Sequence, residues 1–143
     1  MADHFLQLSN EDQRDVLAIA SDRLRRPVHL LEKDIWVVWA LQTLYATPLG
    51  ENLVFKGGTS LSKACGAIRR FSEDVDLTYD IRALAPDLVG DSEEALPKTR
   101  SEEKRWSNEV RRRLPIWVSD TVGPIMRRAF SASRSSRNVR LQN

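Results

Sequence analysis

From residue 9 onward the chain places apolar residues at helical spacing. Val16, Leu17, Ile19, Ala20 and Leu24 make one stripe, the three-and-four rhythm of a helix with a single buried side. Ser9-Asn10-Glu11-Asp12 supplies its start: a serine able to accept from the N–H three residues on, with acids where the helix dipole favours them. Arg25-Arg26-Pro27 supplies its stop, since proline cannot continue a helix without losing a hydrogen bond. A second helix is predicted from about Leu30 to Tyr45. Ile35, Trp36, Val37, Val38, Trp39, Leu41 and Leu44 make it apolar nearly all round, the mark of a centrally buried helix. Glu32, Lys33 and Asp34 fall in its predicted first turn, where acids complement the dipole. A functional alternative has Lys33 leaning toward a phosphate.

After the turn at Thr47-Pro48-Leu49-Gly50 the period changes. Leu53-Val54-Phe55 is short enough for a buried strand, and Asp74-Val75-Asp76-Leu77 alternates polar with apolar as a second strand does. If Thr78-Tyr79-Asp80 extends that strand, Asp80 shares a face with Asp74 and Asp76. Residues 82–97, with Pro86, Gly90 and Pro97, read as an irregular loop. A long charged helix is predicted from Thr99, with Trp106, Val110, Leu114, Trp117 and Val118 along one side. Pro115 is expected to kink or split it and Gly123-Pro124 to end it, with one more turn over Ile125 to Phe130.

Candidate chemistry concentrates between the two strands. Gly57-Gly58 can take positive φ and let a ligand approach the backbone. Thr59 and Ser60 can cap a helix whose first N–H groups suit a phosphate. Asp74 and Asp76, two apart on a strand, project together about 6 to 7 Å apart along the chain. Two such carboxylates repel unless a cation lies between them, and Mg²⁺ with its preference for oxygen and phosphate is the natural one. Taken alone, Asp-x-Asp is usually a solvated strand face and Gly-Gly a turn; the succession of strand, Gly-Gly-Thr-Ser, helix, Arg69-Arg70 and acidic strand is what points to chemistry. Lys63 follows Gly58 without the second glycine of a Walker loop, so this is not a P-loop.

Lys56-Gly57-Gly58-Thr59-Ser60-Leu61, followed by Arg70-Phe71-Ser72-Glu73-Asp74-Val75-Asp76-Leu77, resembles the signature of the AbiEii/AbiGii-type toxin nucleotidyltransferases, within the DNA polymerase β-like nucleotidyltransferase superfamily. Leu31-Glu32-Lys33-Asp34-Ile35-Trp36 is similar to the segment preceding that signature. The resemblance implies an α+β fold, a small mixed β-sheet flanked by helices. It implies transfer of NMP from a nucleoside triphosphate (NTP) onto an RNA, in several members the 3′ end of tRNA, or onto a protein acceptor. It further implies a cognate antitoxin protein. Mapped onto this chain, Asp74 and Asp76 become catalytic Mg²⁺ ligands and Lys63 a further catalytic candidate. Lys56, Gly57, Gly58, Thr59, Ser60 and Arg70 bind the triphosphate, with Glu73 orienting the loop. Superfamily members usually carry a third carboxylate on a later strand, and no later strand with an inward acid is visible after Asp76. The expectation is therefore a minimal or C-terminally truncated domain over residues 1–130. A basic Ser/Arg-rich tail over 131–143 is expected to be disordered. The alternative is a catalytically incomplete nucleotidyltransferase-like domain that binds NTP, RNA or a partner without turnover. A third use of the same cradle, as a kinase, would move the γ-phosphate instead.

Composition bounds these readings without choosing among them. A chain of 143 residues with 41% hydrophobic and 29% charged residues is one soluble domain's worth. No apolar run approaches a membrane span, and the polar, acidic N-terminus is not a signal peptide. The single cysteine, Cys65, excludes an intramolecular disulfide, fits a reducing cytoplasm and reads as a small core residue. The net charge of +2 is uneven: Arg127, Arg128, Arg134, Arg137 and Arg140 sit in a C-terminal stretch without acids, leaving the rest mildly acidic. Lys104, Arg105, Arg111, Arg112 and Arg113 form a basic helix face, ordinarily a solvated one, with an RNA- or triphosphate-facing patch as the functional alternative. His4 and His29 show no ligand spacing.

Overall fold

This computed structural model describes residues 2–56, 76–91 and 93–140, the side chains of residues 2, 3 and 134–140 excepted. The chain divides into two compact units, one of residues 1–46 and 125–143, the other of residues 47–124.

The first unit is helical. Helix α1 (Ala2–Leu6) is tied to α2 (Asn10–Leu24) by Gln13, whose Nε2 donates to the backbone oxygens of Phe5 and Leu8 at 3.1 and 3.3 Å. Ser9 caps α2 as its sequence requires: its Oγ accepts from the Asp12 N–H at 3.0 Å. The helix ends at Arg25, in the left-handed region at φ 53°, and the Arg26 N–H closes back on the Ser21 carbonyl at 3.2 Å. Pro27 then opens α3 (Val28–Tyr45). That start lies two residues before the predicted one, so Glu32, Lys33 and Asp34 fall beyond the first turn, and the dipole argument for them lapses.

Helix α3 is less deeply buried than its composition suggests. Trp39 and Leu44 are buried, each 7% exposed, while Trp36 keeps 38% of its surface. A unit this small has too little interior to cover an all-apolar helix. Its best-packed place is aromatic. Trp36 meets Trp39 edge-on at 5.6 Å between ring centroids, and Phe130 lies 5.9 and 6.2 Å from the two indoles. Phe130 belongs to α7 (Gly123–Arg140).

The second unit holds the sheet. A 3₁₀ turn (Pro48–Asn52) leads into β1 (Leu53–Lys56), which pairs antiparallel with β2 (Asp76–Tyr79). The expected mixed sheet is, among the described residues, this two-stranded antiparallel pair, and the fold class is α+β, mostly helical. In place of the expected loop over 82–97 stand two short helices, α4 (Ile81–Leu84) and α5 (Pro86–Val89), before irregular chain resumes at Gly90. Pro86 starts α5, a position that needs no N–H donor. Helix α6 (Arg100–Trp117) is capped by Thr99, whose side chain accepts from the Glu102 N–H at 3.1 Å, while Glu102 Oε2 accepts from the Lys98 N–H at 2.9 Å. Pro115 lies within α6, and the chain passes at once into a π-type turn over Val118–Val122. Gly123, at φ −56° and ψ −49°, does not end the helical path as predicted. The wider turn places Pro124 where its missing N–H breaks no α-type ladder.

The core of this unit is Leu53, Ala85, Val89 and Trp106. Helix α6 is clamped to α5 by charge. Arg113 donates from both terminal nitrogens to Asp87, at 2.5 and 2.8 Å, and from Nε to Glu109 at 3.0 Å; Arg112 also meets Glu109 at 2.8 Å. Hydrogen bonds from Arg113 to Asp87, and from Arg112 and Arg113 to Glu109, hold both carboxyls below their ordinary range. Two of the five cations read as a ligand-facing patch are thus engaged within the protein. A carboxyl whose folded pKa is depressed stabilises the fold above its ordinary pKa and loses that contribution as pH falls through the folded value. Arg113→Gln should therefore lower the thermal midpoint at neutral pH, and the gap from wild type should close below about pH 4, checked by melting curves of both proteins across that range.

Candidate functional site

Strand β1 ends at Lys56 and β2 begins at Asp76, and the register places those two residues directly opposite each other. The other pairs are Leu53 with Tyr79, Val54 with Thr78, and Phe55 with Leu77. The Asp80 N–H donates to the Asn52 carbonyl at 2.9 Å. By the alternation of an antiparallel ladder, Val54–Thr78 and Lys56–Asp76 are then the hydrogen-bonded pairs, with Cα atoms about 5.5 Å apart. The two faces differ sharply. Leu53, Phe55, Leu77 and Tyr79 are buried or half-buried, and Tyr79 lies on Trp117 with ring centroids 4.3 Å apart. Val54, Lys56, Asp76 and Thr78 are exposed. For β2 this is the period-2 pattern read from the sequence, and it puts Asp76 on the open face; β1, expected to be a buried strand, instead buries one face and leaves Val54 exposed.

Of the predicted site residues, the structure describes Lys56 and Asp76, and brings them together as cross-strand neighbours. Gly57, Gly58, Thr59, Ser60, Lys63, Arg70 and Asp74, with Cys65 and Glu73, lie outside the described residues. The segment that holds them is tethered at both ends to the same pair. An ammonium and a carboxylate side by side at the root of such a segment provide a cation for phosphate oxygens and an oxygen ligand for a hard metal.

Asp80 does not extend the acidic face. The strand ends at Tyr79, and the Asp80 carboxylate turns to cap α4, accepting from the Arg82 N–H at 2.8 Å and from the Arg82 guanidinium at 3.2 Å. The other terminal nitrogen of Arg82 donates to the Glu93 carbonyl. The Asp-x-Arg spacing could have signalled this from sequence, since aspartate accepts from the N–H two residues on in Asx turns. Among the described residues no group of three or more His, Cys, Asp or Glu side chains gathers as a metal cluster, and no helix is long and apolar enough to cross a membrane.

The family model for the nucleotidyl transferase AbiEii toxin of type IV toxin–antitoxin systems matches residues 39–137, more than half of the chain. The chain belongs to the AbiEii family. The matched span takes in both strands, the whole segment between them and α6. The family is one of nucleotidyl transferase toxins, which places this member in a toxin–antitoxin context with an antitoxin counterpart. No curated protein and no solved structure matches the chain.

Two substitutions test Asp80 as a cap. Asp80→Ala should cost about 1 kcal/mol of stability through loss of the cap, read by chemical denaturation. Asp80→Asn, which can still accept from the Arg82 N–H, should leave stability near wild type.

Proposed function

We propose that the exposed end of the β1–β2 pair is the active site of a metal-dependent nucleotidyltransferase, moving NMP from an NTP onto an RNA acceptor such as the 3′ end of tRNA. The observation that carries this reading is the Lys56–Asp76 pair: a cation and a carboxylate opposed on an open sheet face, at the root of the segment bearing Gly57-Gly58-Thr59-Ser60 and Asp74. Family membership supports the reaction class. The nucleotidyltransferase-like core would occupy residues 1–130.

Each residue has a distinct part. Gly57, Gly58, Thr59 and Ser60 offer backbone N–H groups and hydroxyls to the triphosphate, with Lys56, Arg70 and Lys63 as cations. Asp74 and Asp76 offer oxygens suited to Mg²⁺, which when bound supplies charge neutralisation at the phosphates and orients the attacking and leaving oxygens. The acceptor hydroxyl oxygen bonds the α-phosphorus as the α–β phosphoanhydride breaks. Pyrophosphate departs with the bonding electrons, and the hydroxyl proton is lost to solvent. An RNA acceptor is supported by Lys104, Arg105 and Arg111, exposed on α6 and without an ion pair among the described residues. Binding without turnover is the second reading. It draws support from Asp80, the next acid after Asp76, being committed to Arg82 and the α4 cap.

Incubation of the chain with tRNA, Mg²⁺ and each NTP labelled on the α- or γ-phosphate tests the proposal. Transfer of α-label to RNA is expected, and Asp74→Ala/Asp76→Ala should abolish it, a loss of at least about 100-fold for removing electrostatic stabilisation of the transition state. Transfer of γ-label would replace the proposal with a kinase. Mg²⁺-dependent NTP binding with no transfer would favour the second reading.

A further inference from the structure

Helix α5, the first turns of α6 and the chain between them line a cavity of about 400 Å³ that shares no residue with the proposed active site. Trp106 forms one of its walls. The residue is 7% exposed, and its Nε1 is shut off from water with no acceptor among the described residues. A buried donor left without an acceptor is costly, and an acceptor carried by a ligand removes that cost. Val89, which is buried, and Leu96, which keeps 62% of its surface exposed, add apolar lining to the same cavity.

Charges of both signs line it as well. Lys98, Asp91 and Glu102 all contribute to the wall, yet among the described residues Lys98 forms an ion pair with neither acid, and Asp91 has no partner. The backbone here is held: Glu102 Oε2 accepts from the Lys98 N–H at 2.9 Å, and Thr99 caps the same turn. Only one Glu102 oxygen is used in this way. An unpaired ammonium and an unpaired carboxylate on one cavity are complementary to a ligand that carries both signs. Apolar walls with a few convergent polar groups are the make-up of a small-molecule site.

We infer that this cavity binds a small zwitterion with an aliphatic side chain, an α-amino acid or a short peptide of such residues. Lys98 and the Trp106 N–H take its carboxylate, Asp91 and the second Glu102 oxygen take its ammonium, and Val89 and Leu96 meet its side chain.

Calorimetric titration of the full chain tests this with leucine, leucyl-leucine, isocaproate (leucine without its ammonium) and isoamylamine (leucine without its carboxylate). Leucine or leucyl-leucine should bind saturably, the tighter of the two identifying the source as free amino acid or peptide. Isocaproate and isoamylamine should each bind at least about 10-fold more weakly, the loss of a charged hydrogen-bonding partner. Trp106→Phe, which keeps an aromatic ring and removes the donor, should weaken the zwitterion by about 3- to 10-fold, and Lys98→Met, a change at an exposed position, by about 10-fold or more. Circular dichroism establishes that both variants are folded. Absence of saturable binding by both zwitterions, equal binding of a single-charge analogue, or an unchanged affinity in Lys98→Met overturns the inference. Each of these results leaves the nucleotidyltransferase reading standing, because its residues lie elsewhere in the chain.

Discussion

The nucleotidyl transfer proposed for this chain depends on one constraint, the antiparallel register of two four-residue strands. Opposing Lys56 to Asp76 fixes both ends of the motif-bearing segment at one place on the sheet. A slip of one residue would turn Asp76 inward and Leu77 outward, because side chains alternate between faces. The register is held against that slip at its far end. There the Asp80 N–H bonds the Asn52 carbonyl, and Leu53, Phe55, Leu77 and Tyr79 keep their side toward Trp117 and the core. Apolar burial on one face thus positions the polar chemistry on the other.

Charge is distributed to match. Arg82 pairs with the Asp80 carboxylate and donates to the Glu93 backbone carbonyl, while Arg112 and Arg113 pair with Glu109 and Arg113 with Asp87. These pairs are exposed and each contributes little stability. Lys56 and Asp76 are left as the charged residues of the open face. In the AbiEii family the work is transfer of a nucleotide, and such a face offers what a triphosphate and a hard cation ask for.

The parts of this structure that were legible in the sequence are those set by local chemistry. Ser9 and Thr99 cap the helices they precede, and Arg25-Arg26-Pro27 ends α2, because caps and prolines act within a few residues. The strands and the outward face of Asp76 followed from two-residue alternation. Other features needed information that spacing does not carry. Asp80 continues the alternation in sequence, yet its carboxylate gains more by capping α4 than by extending the strand. Pro86 looks like a loop residue but is a helix starter. Gly123-Pro124 looks like a stop, and a π-type turn absorbs it. The all-apolar α3 suggested a central position that a chain of this size cannot provide. Of the site itself, Lys56 and Asp76 are opposed across the strand pair, and the remaining motif residues lie outside the described residues.

The central claim is that Asp76, beside Lys56 and together with Asp74, holds a divalent cation against a nucleotide. Titration of Mn²⁺ in the presence of an NTP, followed by electron paramagnetic resonance, measures that directly, because Mn²⁺ takes the oxygen ligands that Mg²⁺ does. The account predicts a nucleotide-dependent bound-metal signal in the wild-type chain that is lost in Asp76→Asn, with fold retained by circular dichroism. An Asp76→Asn chain that binds Mn²⁺ and NTP as wild type does would contradict it.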